Sequence, residues 1–321
     1  NKDLNTTPTV NGSIYGSGKY DRVGTAEIQL VKCATIPTVY GGSNGTGITN
    51  EANIYLKDMT VGTIYGGSNN AGTVTTSNIY LQSGTVTDAY GGGYGDTTTT
   101  SNVNLEGTAT VTNIFGGSNT SGNVTTSNVE LKSGTLLNVY GGGNSASVGT
   151  ANVNLDGITI DAVHGGSKSA GVTTNTNVVL NSGTITSAYG AGYDVGVTNA
   201  KVTQNSANVT NIYGGTEGAF NNSSETTNAT VNINGRVTNV YGGNLGKGLA
   251  KNTTINISGT ATVTGKLYGG GYQSDIGKSG NTGSATINIS GGQIRKDVVG
   301  GSERGTVYGT TNINIGKSAV T

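Results

Sequence analysis

Asn78–Gly92 reads NIYLQSGTVTDAYGG, and three features of this stretch recur along the whole chain. Ile79 and Leu81 alternate with Asn78 and Tyr80, the period of a half-buried strand. Val86 and Ala89 follow a Ser-Gly pair, and Tyr90 stands directly before two glycines. The residues in the position of Tyr90 are Tyr15, Tyr40, Tyr65, Tyr90, Phe115, Tyr140, His164, Tyr189, Tyr213, Tyr241, Tyr268 and Val299. Their gaps are 25, 25, 25, 25, 25, 24, 25, 24, 28, 27 and 31, giving twelve units. The glycine pair is broken only at Gly16-Ser17 and Gly190-Ala191.

The strand signal keeps the same register. Its first apolar column runs from Ile28, Ile54, Ile79 and Val103 to Ile313, and all twelve members are β-branched. The second runs from Leu30, Leu56 and Leu81 to Ile315, broken once, at Gln204. Behind the Ser-Gly pair, Val86, Val111, Leu136, Ile160 and Ile185 lie four places before the aromatic, and Ala89, Ile114, Val139, Val163 and Ala188 lie one place before it. A spacing of three breaks strict alternation. It predicts a bend at pairs such as Thr112-Asn113, where Asn tolerates a left-handed backbone.

Units of about 25 residues with two or three short strands and no helical period cannot bury a core alone. Stacked in register, each strand pairs with its counterpart one unit away and the apolar columns fuse. The sequence therefore predicts an all-β fold, a single-stranded parallel β-helix (β-solenoid) of about 12 coils, right-handed because parallel crossovers take that hand. At about 4.8 Å per coil it would span roughly 58 Å. A β-propeller is excluded by length, since a blade needs about 40–45 residues. One continuous domain is expected over 1–321, regular in 1–213 and looser, with longer loops, in 214–321.

Composition agrees with an extended repeat. Charged residues are 11% of the chain, Gly numbers 57, and there is no Trp. Gly is scattered and the aliphatics recur, which excludes collagen and flexible linker. Net charge is zero, so neither nucleic acid nor an anionic membrane is an expected partner. Residues 1–200 hold 7 Lys/Arg against 12 Asp/Glu, and residues 201–321 hold 10 against 5, so the halves carry −5 and +5. Cys33 is alone, which rules out an internal disulfide and a cysteine metal cluster. No apolar run is long enough to span a bilayer, so no membrane insertion is expected. A chain starting at Asn1 reads as a processed or excised piece, from which an export signal would already be gone.

The pattern of Thr-x-Asn-Val-x-Leu strands followed by Ser-Gly-Thr-Val-Thr-x-x-Tyr-Gly-Gly-Gly, as in residues 83–93, resembles the adhesin-like parallel β-helix repeats of bacterial and archaeal cell-surface proteins. The resemblance covers nearly the whole chain. It implies export, attachment to a cell or fibre, and a contact or scaffold role; from the residues themselves, neither enzymatic activity nor a cofactor is expected.

Three columns could carry function. The aromatic column Tyr40, Tyr65, Tyr90, Phe115, Tyr140, His164, Tyr189 and Tyr213 follows an inward aliphatic, so alternation turns its rings outward. It is either a structural ladder, its rings filling space left by Gly41, Gly66 and Gly91, or a platform for glycans. The threonine column Thr35, Thr60, Thr85, Thr110, Thr135, Thr159 and Thr184 is a candidate ordered-water array for ice binding. Its partial second column (Thr87, Thr112, Thr186, Thr210) is interrupted by Leu137 and Asp161, and β-propensity accounts for Thr equally well. The outward column Asn53, Asn78, Asn102, Asn128, Asn152 and Asn177 predicts an axial amide ladder.

Catalysis and metal binding find no support. IGKS at Ile276–Ser279 and Ile315–Ser318 lacks the upstream Gly of a phosphate loop. Asp96 in GGGYGD (91–96) is out of step for a calcium repeat. His164 has no evident triad partner, and Asp88 and Asp161 occupy different columns three coils apart. Asp58 and Asp156 form no matched pair, so a polysaccharide lyase or hydrolase has no carboxylate cluster to work with. Sequons such as Asn123, Asn222 and Asn228 follow from the composition. The expected partners are copies of the chain or adjacent repeats, end to end, with glycans or a host surface as further candidates. Head-to-tail contact would bring the −5 and +5 halves of neighbouring copies together.

Overall fold

The computed structural model describes residues 8–218 and 225–316, and Asn222, Lys317, Ser318 and Thr321 lie outside the described residues. Each regular coil carries a long strand, as in Thr73–Leu81, and a short one, as in Thr85–Tyr90. Every long strand pairs in parallel with the long strand one coil on, and every short strand with the next short one. The residue partners are the sequence columns: Ile54 opposite Ile79, Leu56 opposite Leu81, and Tyr40 opposite Tyr65. Pairing of this kind continues from Ser13–Tyr15 to Gly309–Ile315. The chain is thus a parallel β-solenoid of about twelve coils.

The core forms because the inward columns of successive coils merge. Ile54, Leu56, Ile79, Leu81 and Val86 are fully buried and belong to one continuous aliphatic cluster. Each such side chain contributes about 1.5–3 kcal/mol, so a coil adds several buried aliphatics in return for ordering about 25 residues. Between the two strands the backbone turns at glycines with positive φ, among them Gly84 (98°) and Gly134 (100°). Glycine adopts this conformation without a Cβ penalty.

The predicted bend in the short strand exists without the predicted backbone. Val111 and Ile114 both face inward, while Thr112 between them is exposed and is skipped in the ladder with the next coil. Among the described residues the only non-glycine positive φ angles are at Lys32 and Asp58, so Asn113 is not left-handed. Its amide instead donates to Asp88 Oδ1 at 2.7 Å and its Oδ1 accepts from Asn138 at 2.9 Å. Axial hydrogen bonding explains Asn at that bend.

Gln204, the break in the second column, sits in the core at 0% exposure with its amide satisfied. Its Nε2 donates to the Ala207 carbonyl at 2.7 Å, and its Oε1 accepts from Gly235 N–H at 2.9 Å. It closes a turn that lacks the Ser-Gly pair, so a polar residue replaces Leu there without an orphaned group. The IGKS stretch at 276–279 contributes to a small antiparallel pairing, with Gly277 opposite Thr282 and Lys278 opposite Asn281.

Candidate functional site

The aromatic column is the most regular chemistry in the molecule. Its rings stack without interruption from Tyr15 to Tyr268, at centroid separations from 4.6 Å (Tyr90–Phe115) to 5.6 Å (Tyr241–Tyr268). Interplanar angles stay between 5° and 15°. In-register parallel pairing imposes this spacing, because each ring follows its neighbour by one coil rise.

The rings are not a solvent-facing platform, which corrects the expectation from alternation. They do leave the aliphatic core and form clusters of their own. Yet Tyr65 is 5% exposed, Phe115 2% and His164 1%. Alternation gave the side of the strand correctly, but a further turn of chain lies beyond that side. Burial accordingly pushes the tyrosine phenols up, to about 12 at Tyr140 and Tyr213 and further at Tyr40, Tyr90 and Tyr189.

The glycines serve a different surface from the one expected. A Cβ on Gly91 would strike the Gly116 carbonyl and the Ser101 side chain, not the rings. Small residues of the long strand fill this inner space and hydrogen-bond across it. Ser101 Oγ donates to the Gly116 carbonyl at 2.5 Å and Ser127 Oγ to the Gly141 carbonyl at 2.6 Å. One step on, a polar interior column supplies acceptors for turn amides. Ser68 Oγ accepts from Ser43 N–H at 3.0 Å, and Asn244 Oδ1 accepts from Thr216 N–H at 2.9 Å.

Asp96 belongs to this interior column. One carboxylate oxygen accepts from Ser68 N–H and the other from Gly93 N–H, both at 2.7 Å. Burial raises its pKa from 3.8 to about 6, and those backbone hydrogen bonds oppose the rise without cancelling it. The side chain replaces the hydroxyl that Gly93 lacks. Among the described residues no group of three His, Cys, Asp or Glu side chains could hold a metal ion.

What covers the ladder is a column four residues beyond each aromatic, unmarked by hydrophobic periodicity. It includes Asn69, Tyr94, Asn119, Asn144, Lys168, Tyr193, Glu217, Leu245, Tyr272 and Glu303. The backbone N–H of each donates to the turn of the preceding coil, as Tyr94 does to Ser68 and Tyr272 to Asn244. Several of these side chains reach back one or two coils onto the rings. Tyr94 meets Tyr65 edgewise at 6.1 Å, and Asn119 Nδ2 donates to Tyr65 Oη at 2.9 Å. Glu303 Oε2 accepts from Tyr241 Oη at 2.6 Å and Glu303 Oε1 from Lys266 at 2.7 Å. Burial alone would raise the Glu303 pKa; the hydrogen bonds from Lys266 and Tyr241 outweigh it and hold the pKa below the usual value.

His164 has a partner that the sequence did not reveal. Its Nε2 lies 2.7 Å from Glu217 Oε2, which is 53 residues away in sequence but only two coils along the solenoid. The ring is sandwiched between Tyr140 at 4.8 Å and Tyr189 at 4.9 Å. The useful signal would have been the column offset of four, which places Glu217 on the ladder.

The other two columns stand where alternation put them. Thr35, Thr60, Thr85, Thr110, Thr135, Thr159 and Thr184 are all exposed. Thr60, Thr85, Thr110 and Thr135 follow one another in direct register. Leu137, 52% exposed, and Asp161 interrupt the neighbouring column. The asparagine column forms the expected amide ladder, Asn53 to Asn78 to Asn102 to Asn128 to Asn152, with bonds of 2.8–2.9 Å. Comparison with family models, with curated proteins and with solved structures matches none of them.

Proposed function

We propose that the chain is a non-enzymatic, extracellular β-solenoid that acts as a rigid cell-surface scaffold or adhesin-type module and extends by end-to-end stacking. One observation carries this reading. The strand Gly309–Ile315 is exposed along its whole length, although it continues the core columns, with Ile313 above Ile287 and Ile315 above Ile289. Ile313 is 43% and Ile315 76% exposed, whereas Ile287 is fully buried. Among the described residues this open parallel edge, with its apolar columns uncovered, suits one more coil, whether from adjacent repeats or from another copy. The −5 and +5 halves favour head-to-tail placement of a second copy.

The carboxylates support the absence of catalysis through their existing engagements. Asp96 is spent on backbone amides, Glu217 on His164, and Glu303 on Tyr241 and Lys266. Asp88 and Asp161 lie three coils apart, roughly 14 Å at the coil rise. Ice binding draws less support, because Leu137 and Asp161 break the second threonine column.

Sedimentation velocity over a wide concentration range tests the reading. Mass should grow with concentration at low salt, diminish as salt screens the opposed charges, and stop growing in Ile315→Lys. A chain that stays monomeric at every concentration in low salt refutes it.

A further inference from the structure

In five successive coils of the cover over the ring ladder asparagine recurs, at Asn44, Asn69, Asn119 and Asn144, with Tyr94 between them. Asn69 Nδ2 donates to Asn44 Oδ1 at 2.8 Å, and Asn144 Nδ2 to Asn119 Oδ1 at 3.0 Å, so repeated asparagines hold this column to itself. From Lys168 onward no asparagine returns. The column reads Tyr193, Glu217, Leu245, Tyr272 in four successive coils, which have no such amide ladder to gain. Coil length loosens here too, with gaps of 28 and 27 replacing 25.

The departure coincides with a groove. A cavity of about 490 Å³ lies over these coils, lined by Tyr193, Glu217, Leu245, Lys247, Tyr272 and Gln273. Tyr193 and Tyr272 are three coil rises apart, roughly 14 Å, so the groove runs along the solenoid. Tyr193 meets His164 at 68° and Tyr272 meets Tyr241 at 83°. Both rings therefore stand crosswise to the stack, and their planes run along the groove. T-shaped packing holds each ring from beneath, and the Arg304 guanidinium at 5.0 Å and Lys266 Nζ at 5.9 Å from the Tyr272 centroid flank that ring. Glu217 is fixed as well, since His164 holds its Oε2.

We propose that this groove binds a neutral polysaccharide chain laid lengthwise, with sugar rings against Tyr193 and Tyr272 and hydroxyls met by Glu217, Lys247 and Gln273. Two flat aromatic walls and the apolar Leu245 suit the C–H faces of sugars. The polar groups comprise one anion, one cation and one amide, which can accept from and donate to hydroxyls. Glu217 offsets Lys247 and Glu303 offsets Lys266, which leaves Arg304 as the surplus cation beside the groove, and one cation is too few to neutralise the several phosphates of a nucleic acid or polyphosphate. Preset side chains keep the ordering cost of binding low. The site is separate from the buried ladder, and it does not depend on stacking at the Gly309–Ile315 end.

Calorimetric titration of the full chain with hexasaccharides of β-linked glucose, xylose and N-acetylglucosamine and α-linked mannose tests the proposal. At least one should bind saturably. Tyr193→Ala and Tyr272→Ala should each weaken that binding at least about tenfold, with unchanged circular dichroism. Tyr94→Ala, in the same column but outside the groove, should leave it unaltered. Gln273→Ala and Lys247→Ala, at exposed positions, should weaken it about threefold and carry the test if a Tyr variant fails to fold. The proposal is overturned if no saccharide saturates, if the groove variants bind like the parent chain, or if a random-peptide library binds the groove instead. Sedimentation of the same variants should match the parent, which separates this result from the fate of the scaffold reading.

Discussion

Truncating Tyr65 to alanine tests whether the ladder is structural. The ring is 5% exposed, lies 4.8 Å from Tyr40 and 5.0 Å from Tyr90, and is met edgewise by Tyr94. Its removal leaves Tyr40 and Tyr90 facing each other across about two coil rises, roughly 10 Å. Neither ring can close that gap, because backbone pairing fixes their separation. Truncating a buried aromatic to alanine costs about 3–5 kcal/mol, and two lost stacking partners place Tyr65 in the upper half of that range. Tyr65→Phe is the matched control. It keeps both stacks and loses only the hydrogen bond from Asn119, worth about 0.5–1.5 kcal/mol.

The two variants should therefore differ by about 3 kcal/mol in urea unfolding. The loss should also be local, since coils contact only their neighbours. Hydrogen exchange should speed by about two powers of ten in the coils of Tyr40, Tyr65 and Tyr90, with little change beyond Tyr140. If Tyr65→Ala falls within about 1 kcal/mol of Tyr65→Phe, the ring is not the buried element described, and the case for a structural ladder collapses.

Two further substitutions probe the polar interior. The raised pKa of Asp96, about 6 against an ordinary 3.8, means that the native state holds its proton more tightly than the unfolded chain does. Its contribution is fully present below about pH 4 and is lost as pH rises to about 6, amounting to roughly 3 kcal/mol at most. Asp96→Asn should remove that slope; an unchanged pH profile would assign the slope to other groups. Gln204→Leu restores the column's aliphatic pattern but strips partners from the Gly235 N–H and the Ala207 carbonyl. It should destabilise by about 1–3 kcal/mol in thermal or urea unfolding, whereas a stabilised variant would show that the buried amide is not needed.

The chain's own periodicity determined the architecture. Unit length, strand identity and register follow from columns that recur every 25 residues, since identical neighbours must pair when identical units stack. Ile54 opposite Ile79 and the Asn53–Asn152 amide ladder were legible for that reason. Alternation also placed the threonine array on an exposed face and the rings outside the aliphatic core. It could not say what lies beyond the rings, because it reports only the side of a strand. Only the tertiary structure decided that the turns after the glycines fold back over the ladder and bury it. The same closure set Glu217 on His164 and stood Tyr193 and Tyr272 across the stack. Such contacts join residues of different columns, one or two coils apart, and their geometry depends on the path of each turn, which a one-unit period does not encode.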